Sequence, residues 1–219
     1  MNSQISSRIN NVLDLESDYM KRLLFSAIFI ITLGSAIGQA SFNDSLAQSR
    51  NRITQKAMLT LGAWATANIA TGFIVASQTQ GEAKYVWRMN AYWNFINLGL
   101  AAMGYLNARK AMMKKNGLAD NFSAQQSIEK LYVFNLGLDL VYITGGFYLR
   151  ERGNSQTKAG SRDQFKGYGT SIAIQGGFLL LMDGVMIMLH HKNTIRLNNK
   201  VRQIELNAGP GGLGMVYHF

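Results

Sequence analysis

Four long runs of apolar residues alternate with charged segments along the chain. The first two, residues 57–81 and 89–108, contain no charged side chain. The third and fourth, residues 131–149 and 167–189, contain one aspartate each. A helix of about 20 apolar residues crosses the roughly 30 Å hydrocarbon layer of a bilayer. The pattern therefore predicts an all-α protein folded as a four-helix transmembrane bundle.

A shorter apolar run precedes these four. The basic pair Lys21 and Arg22 introduces LLFSAIFIITLG, and the small residues Gly38 and Ala40 follow. These features are typical of a secretory signal peptide; an uncleaved first transmembrane helix is the alternative. We therefore divide the chain into an over-extended start (1–19), a signal peptide (20–40), a four-helix transmembrane domain (41–192) and an amphipathic tail with a short strand-like end (193–219).

A faint internal repeat relates the first pair of runs to the second. Aligning Lys56 with Lys130 also superposes Gly72 on Gly146. This agreement favours two duplicated helical hairpins, with chance similarity as the alternative. A duplication of this kind would insert both hairpins from the same side of the membrane, as a parallel repeat.

Each apolar run carries one polar stripe when it is plotted at 3.6 residues per turn. In a bilayer the polar stripes of neighbouring helices must face each other, because an unpaired polar group in hydrocarbon is costly. Small residues on the same stripes allow the helix backbones to approach closely. The stripes therefore predict a polar cluster inside the bundle, formed by Asn68, Asn97, Asn135, Asp139, Gln175 and Asp183.

Asp139 and Asp183 decide between two functions for this cluster. As hydrogen-bond partners that fix helix register, they indicate a structural or accessory membrane protein of otherwise unknown biochemical function. As intramembrane carboxyls, they could instead bind a proton or cation in a small transporter or conduit. Polar contacts between helices are the more common use of such residues, so the structural role is the first expectation and transport the alternative.

The net charge of +10 agrees with a membrane location, because the basic residues gather at the edges of the apolar runs. Lys and Arg side chains in that position meet anionic lipid headgroups. No nucleic-acid recognition motif accompanies the charge. We therefore expect membrane lipids as partners and no nucleic acid, and we leave open a homo-oligomer or a membrane partner.

Residues suited to catalysis are few. The chain has no cysteine and three histidines, of which His190 and His191 follow the fourth run. The sequence contains no HExxH, Walker A or GxSxG motif. Asp183 and His190 lie on one helix face, but two ligands are a weak basis for a metal site. We therefore expect no enzymatic activity, no cofactor and no metal site.

The C-terminus supports a rival architecture. Apolar residues alternate up to the last position, at Leu213, Met215, Tyr217 and Phe219. This ending resembles the assembly signal of bacterial outer-membrane β-barrels. The runs at 57–70 and 178–189 are continuous rather than alternating, which favours helices. We therefore place the protein in the bacterial cell envelope, in the inner membrane, with an outer-membrane β-barrel as the alternative.

Four phrases together resemble an uncharacterised family of small integral membrane proteins from Bacteroidetes. They are RNRITQKAMLTLGAWATANIATG, MNAYWNFINLGLAAMGYL, FNLGLDLVYITGGFYL and GYGTSIAIQGGFLLLMD, within residues 50–192. The resemblance implies four membrane helices and carries no activity with it. The residues on which it rests are Arg50, Asn51, Met58, Leu61, Trp64, Asn68, Gly72, Asn90, Trp93, Asn97, Gly99, Asn135, Leu138, Asp139, Gly145, Gly169, Gln175, Gly176, Phe178 and Asp183.

Overall fold

The computed structural model describes Lys21 and residues 42–114, 116–202, 204–209 and 212–217. Apart from Lys21, the predicted over-extended start and signal peptide therefore lie outside the described residues. The residues from Ser45 onward form one compact unit, and all the contacts below lie within it.

Long helices account for most of the described chain. They are followed by an antiparallel pair of strands in which Ile204 lies opposite Tyr217. The predicted all-α core of four helices is confirmed. The elements are α1 (Phe42–Gln78), α2 (Gly81–Ala111), α3 (Leu118–Asn154), α4 (Ala159–Arg202), β1 (Ile204–Gly209) and β2 (Gly212–Tyr217).

The β-barrel alternative is wrong. Residues 131–142, whose alternation suggested a barrel strand, lie within α3. The same residues also satisfy a helical period, because Asn135, Asp139 and Tyr142 recur every three or four positions. At the other end, α4 is continuous for 44 residues, so the segment predicted as an amphipathic tail continues this helix as far as Arg202.

Short connections make α1 and α2 antiparallel neighbours, and α3 and α4 likewise. Gly81, which follows α1 closely, has a φ of +59°, a left-handed conformation that glycine adopts at low cost. Gly117 precedes α3, and its backbone N–H donates to Oδ2 of Asp120 at 3.2 Å. The turn before Gly81 joins α1 and α2 into one hairpin, and residues 155–158 join α3 and α4 into a second. Gly117 belongs to the connection between the two hairpins.

Each hairpin is closed by a glycine that lies against the backbone of the next helix. A Cβ added at Gly72 would lie 2.8 Å from the carbonyl oxygen of Trp87. A Cβ added at Gly146 would lie 2.6 Å from the carbonyl oxygen of Gly169. Side chains larger than hydrogen would separate the helices at both positions, so the small residues on the predicted stripes permit the close packing.

Helix α4 holds the bundle together. It packs against α3 and also against α2, and Phe178 on α4 stacks on Trp64 of α1 with ring centroids 3.9 Å apart. Among the described elements, α2 and α3 do not pack their backbones against each other. The rings of Trp93 and Tyr142 meet edge to face across the gap, with centroids 4.8 Å apart.

Many polar side chains are buried inside the bundle, and many large apolar side chains are exposed on its outer surface. Asn94 and Gln175 are completely buried. On the outside, Phe134 is 64% exposed and Leu181 is 73% exposed. Water-soluble proteins show the opposite distribution, since large exposed apolar patches mark contact with a partner or a membrane.

Candidate functional site

The structure divides the predicted polar cluster into two groups. Asn68 and Gln175 join a network that links α1, α2 and α4. The two acids of the cluster, Asp139 on α3 and Asp183 on α4, lie beside a cavity. This division separates side chains that bond helices together from buried acids at the border of a cavity.

The first group, which we call the amide network, consists of Trp64, Asn68, Asn90 and Gln175. Nε1 of Trp64 donates to Oε1 of Gln175 at 3.1 Å, and Nε2 of Gln175 donates to Oδ1 of Asn90. Nδ2 of Asn90 donates to Oδ1 of Asn68 at 2.7 Å. Nδ2 of Asn68 donates to the carbonyl oxygen of Trp64 at 2.8 Å, which brings the network back to its first residue. The network closes on itself, as buried polar groups require.

Asn97 lies beyond this ring on α2. Its Nδ2 donates to Oδ1 of Asn94 at 3.2 Å, and Nδ2 of Asn94 donates to the carbonyl oxygen of Asn90 at 2.8 Å. Asn97 also lines the cavity. The predicted cluster omitted Asn90, Asn94 and Trp64, although the 3.6-residue period places all three on the polar stripes of their helices.

The second group, which we call the acid pair, consists of Asp139 on α3 and Asp183 on α4. They are 2% and 5% exposed and close enough to interact electrostatically. The side-chain amide of Asn135 lies beside Asp183. Oδ2 of Asp139, by contrast, has no hydrogen-bond partner among the described residues. A buried oxygen of this kind is one that a ligand, a proton or a water molecule can satisfy.

A cavity of about 480 Å³ lies beside the acid pair, in the gap between α2 and α3. Side chains from all four helices line it, and most of them are aliphatic or methionine. Asp139, Asp183, Asn97 and Asn135 provide polar atoms. None of the described lining residues is lysine, arginine or histidine. The cavity therefore combines an apolar wall with an excess of acidic side chains.

A further buried polar layer lies near the N-terminal part of α3. NH1 of Arg50 donates to Oδ1 of Asn121 at 3.2 Å. Nε2 of Gln125 donates to the carbonyl oxygen of His190 at 2.9 Å. The His190 ring stacks on Tyr132, which lines the cavity, with centroids 5.5 Å apart. The prediction missed this layer because most of its residues lie outside the apolar runs.

The described residues contain no group of three or more His, Asp or Glu side chains arranged to hold a metal ion. Asp183 and His190, which lie on one face of α4, therefore have no third ligand of these types within the described part of the chain. The acid pair also lacks the number of oxygen ligands that Ca²⁺ takes in proteins.

Residues 60–184 match the family model described as a family of unknown function, DUF6992. The chain belongs to this family. The amide network and the acid pair both lie inside the part matched by the DUF6992 model, whereas Arg50 and His190 lie outside it. No curated protein and no solved structure matches the chain. The predicted resemblance to a family without an assigned activity is thus confirmed. The bacterial source and the membrane location of the protein stay predictions.

Proposed function

We propose that the protein is an integral membrane protein whose acid pair binds a proton or a cation within a four-helix bundle, as part of a small carrier or conduit. The observation that carries this proposal is Oδ2 of Asp139, buried without a hydrogen-bond partner among the described residues and next to a cavity. A purely structural role accounts for Asn68 and Gln175, but it leaves this carboxyl unexplained.

Two properties of the bundle support a membrane location. Helices α1 and α4 are both long and apolar enough to cross a membrane. Helices α2 and α3 present large apolar side chains outward, such as Phe95 at 52% exposure and Val141 at 61% exposure. Their mean hydropathy is lower because they contain more polar residues. These polar residues face the interior of the bundle, where they can pair with other helices instead of meeting lipid.

Basic residues at the helix ends fit the borders of such a bundle. Arg52, Lys56 and Arg109 are exposed near one end. At the other end, Arg88 donates to the hydroxyl of Tyr92 at 3.1 Å, and this hydrogen bond raises the pKa of Arg88. Arginine beside tyrosine is typical of the interface between lipid and water. We also retain the signal peptide and the bacterial envelope as parts of the proposal.

The packing glycines support the duplication of a helical hairpin. Gly72 lies against the carbonyl oxygen of Trp87 and the Cβ of Ala91, four residues later. Gly146 lies against the carbonyl oxygen of Gly169 and the Cβ of Ala173, again four residues later. The acid pair occurs only in the second hairpin, so a duplicated ancestor would have acquired its acidic chemistry in one copy.

Charge cost explains why the acid pair would bind a cation. An ionised, unpaired carboxylate in a membrane interior costs at least a few kcal/mol. Asp183 lies beside the side-chain amide of Asn135, whereas Asp139 has one oxygen without a hydrogen-bond partner among the described residues. A proton or a cation at Asp139 would remove this cost. Asp139 is therefore the exchanging group, and Asp183 is the carboxyl held in place beside it.

Proteoliposomes test the proposal directly. Purified protein is reconstituted with a pH-sensitive dye inside, and a potassium diffusion potential is imposed to drive proton entry; a sodium gradient tests inorganic cations in the same way. We expect flux with the wild-type protein and none with Asp139→Asn. Glu151→Gln is the matched control, because it removes an exposed carboxylate from the same helix and should leave the flux unchanged.

A structural or accessory role is the second candidate, favoured by the closed amide network. It predicts no flux with the wild-type protein and correct folding of Asp139→Asn. Equal flux with wild type and Asp139→Asn would also contradict the proposal, since the cation would then cross without the carboxyl.

A further inference from the structure

The cavity beside the acid pair is open toward the outer surface of the bundle. Its rim on α2 is formed by Ile96, Leu100 and Met103, and Leu131 contributes from α3. These four side chains are between 50% and 63% exposed. Because α2 and α3 do not pack against each other among the described elements, the opening faces the side of the bundle. In a bilayer this direction is hydrocarbon.

We propose that this cavity binds an amphipathic organic cation, such as an amine with an aromatic or aliphatic body, that enters from the bilayer between α2 and α3. The inference rests on the proposed function and names the class of ligand that the acid pair would hold. Two acids and no base line the cavity among its described residues. Charge complementarity therefore selects a cation and rejects an anion.

The size and lining of the cavity fit such a ligand. A volume of about 480 Å³ lies within the range of pockets for small organic molecules, roughly 300–1,000 Å³. Met58 and Met182 supply flexible thioether side chains that adapt to different apolar shapes. Trp93 and Tyr142 also line the cavity, and aromatic rings of this kind attract organic cations.

Other ligand classes fit less well. A lipid chain without charge would leave the buried, unpartnered oxygen of Asp139 unsatisfied, at a cost. An inorganic divalent cation prefers six or more oxygen ligands, whereas most of the lining is apolar. An organic cation satisfies the carboxyl with its charged group and the apolar walls with its body.

Tetraphenylphosphonium and tetraphenylborate form a matched pair of probes, because they have nearly the same shape and opposite charges. Binding of each to detergent-purified, full-length protein is measured by isothermal titration calorimetry. We expect tetraphenylphosphonium to bind the wild-type protein, and Asp139→Asn to weaken its binding at least tenfold. Tetraphenylborate should not bind, and Glu151→Gln should bind tetraphenylphosphonium as the wild type does.

Variants of the rim test the entrance. Ile96→Trp places a larger ring at the opening and should slow the association of tetraphenylphosphonium with protein in lipid nanodiscs several-fold. Leu140→Trp, at an exposed position of α3 that does not line the cavity, should leave the rate unchanged. Equal rates in both variants would overturn entry between α2 and α3.

The outcomes separate this inference from the proposed function. Binding of tetraphenylborate as tight as that of tetraphenylphosphonium, or binding unchanged in Asp139→Asn, overturns the organic-cation site. If proton or sodium flux still depends on Asp139 in that case, the proposed function stands and only the ligand class is wrong. If neither flux nor binding occurs, both proposals fail and the structural role remains.

Discussion

Gly146 on α3 lies directly against the backbone of α4, where a Cβ would come within 2.6 Å of the carbonyl oxygen of Gly169. The neighbouring Gly145 meets nothing within 4 Å at the same position. Adjacent glycines on one helix thus have different roles, because only one of them faces the partner helix. The contact sets the separation of α3 and α4, and with it the distance between the two acids.

Substituting these two glycines with alanine should give opposite results. Gly146→Ala forces α3 and α4 apart, which we expect to cost about 1–3 kcal/mol of unfolding free energy. Gly145→Ala should be neutral or stabilise by up to about 1 kcal/mol, because alanine is the better helix former. Thermal unfolding in detergent, followed by tryptophan fluorescence, measures both. A similar loss in both variants would contradict the close approach.

The amide network should behave as one coupled unit. Asn90→Ala removes the partner of both Asn68 and Gln175, and leaving buried polar groups unpaired costs about 1–3 kcal/mol. The double variant with Asn68→Ala should cost less than the sum of the single variants, because they share one hydrogen bond. Asn107→Ala, at an exposed position of the same helix, is the control. Strict additivity would argue against the network.

The acid pair should separate stability from function. Asp139→Asn keeps the shape of the side chain and removes the carboxyl that lacks a partner, so we expect an unfolding temperature equal to or above that of the wild type. Asp183→Asn disturbs the contact with Asn135 and should be the less stable variant. Unfolding scans on both variants, beside the flux assay, test this difference. A marked loss of stability in Asp139→Asn alone would contradict an unpartnered carboxyl at this position.

Helical periodicity predicted which faces of the helices are polar, and Asn68, Asp139 and Gln175 do lie inside the bundle. It could not predict the division into two groups, because a period identifies a face but not the residue opposite it. Asn90 became the centre of the network because it lies between α1 and α4. Asp139 remained unpartnered because α2 does not pack against α3 beside it.

Apolar runs also underestimated the helices. Helix α3 begins at Leu118, well before the apolar run that starts at residue 131. Hydrophobicity marks the part of a helix that can lie in hydrocarbon. The same helix continues beyond this part with polar residues, which an apolar run does not include. The layer of Arg50, Gln125 and His190 lies around these ends, so a search restricted to apolar runs could not find it.

Arg50 and Arg52 lie two residues apart on α1, and a comparison of the two tests the contribution of this layer to stability. Arg50 is 4% exposed and bonds to Asn121, whereas Arg52 is exposed. We expect Arg50→Gln to lower the unfolding free energy by about 1.5–3 kcal/mol, as for hydrogen bonds to charged groups. Arg52→Gln should change it by no more than about 0.5 kcal/mol. Equal effects would mean that the buried contact adds no stability.

Single-cysteine labelling can test the four membrane spans, because the natural chain contains no cysteine. Gln80→Cys lies between α1 and α2, and Ser155→Cys follows α3. Asn198→Cys lies near the end of α4, at the opposite end of the bundle. We expect the first two positions to react with a membrane-impermeant maleimide from one side of the membrane, and Asn198→Cys only from the other.

The side on which each position reacts then tests the signal peptide. A cleaved signal leaves the start of α1 outside the cytoplasm, so four spans place Gln80 and Ser155 in the cytoplasm, which is the result we expect. The positive-inside rule favours the reverse, because more basic residues lie at the end that contains Asn198. Labelling of Asn198→Cys from the cytoplasm would reject cleavage, and labelling of all three from one side would reject four spans.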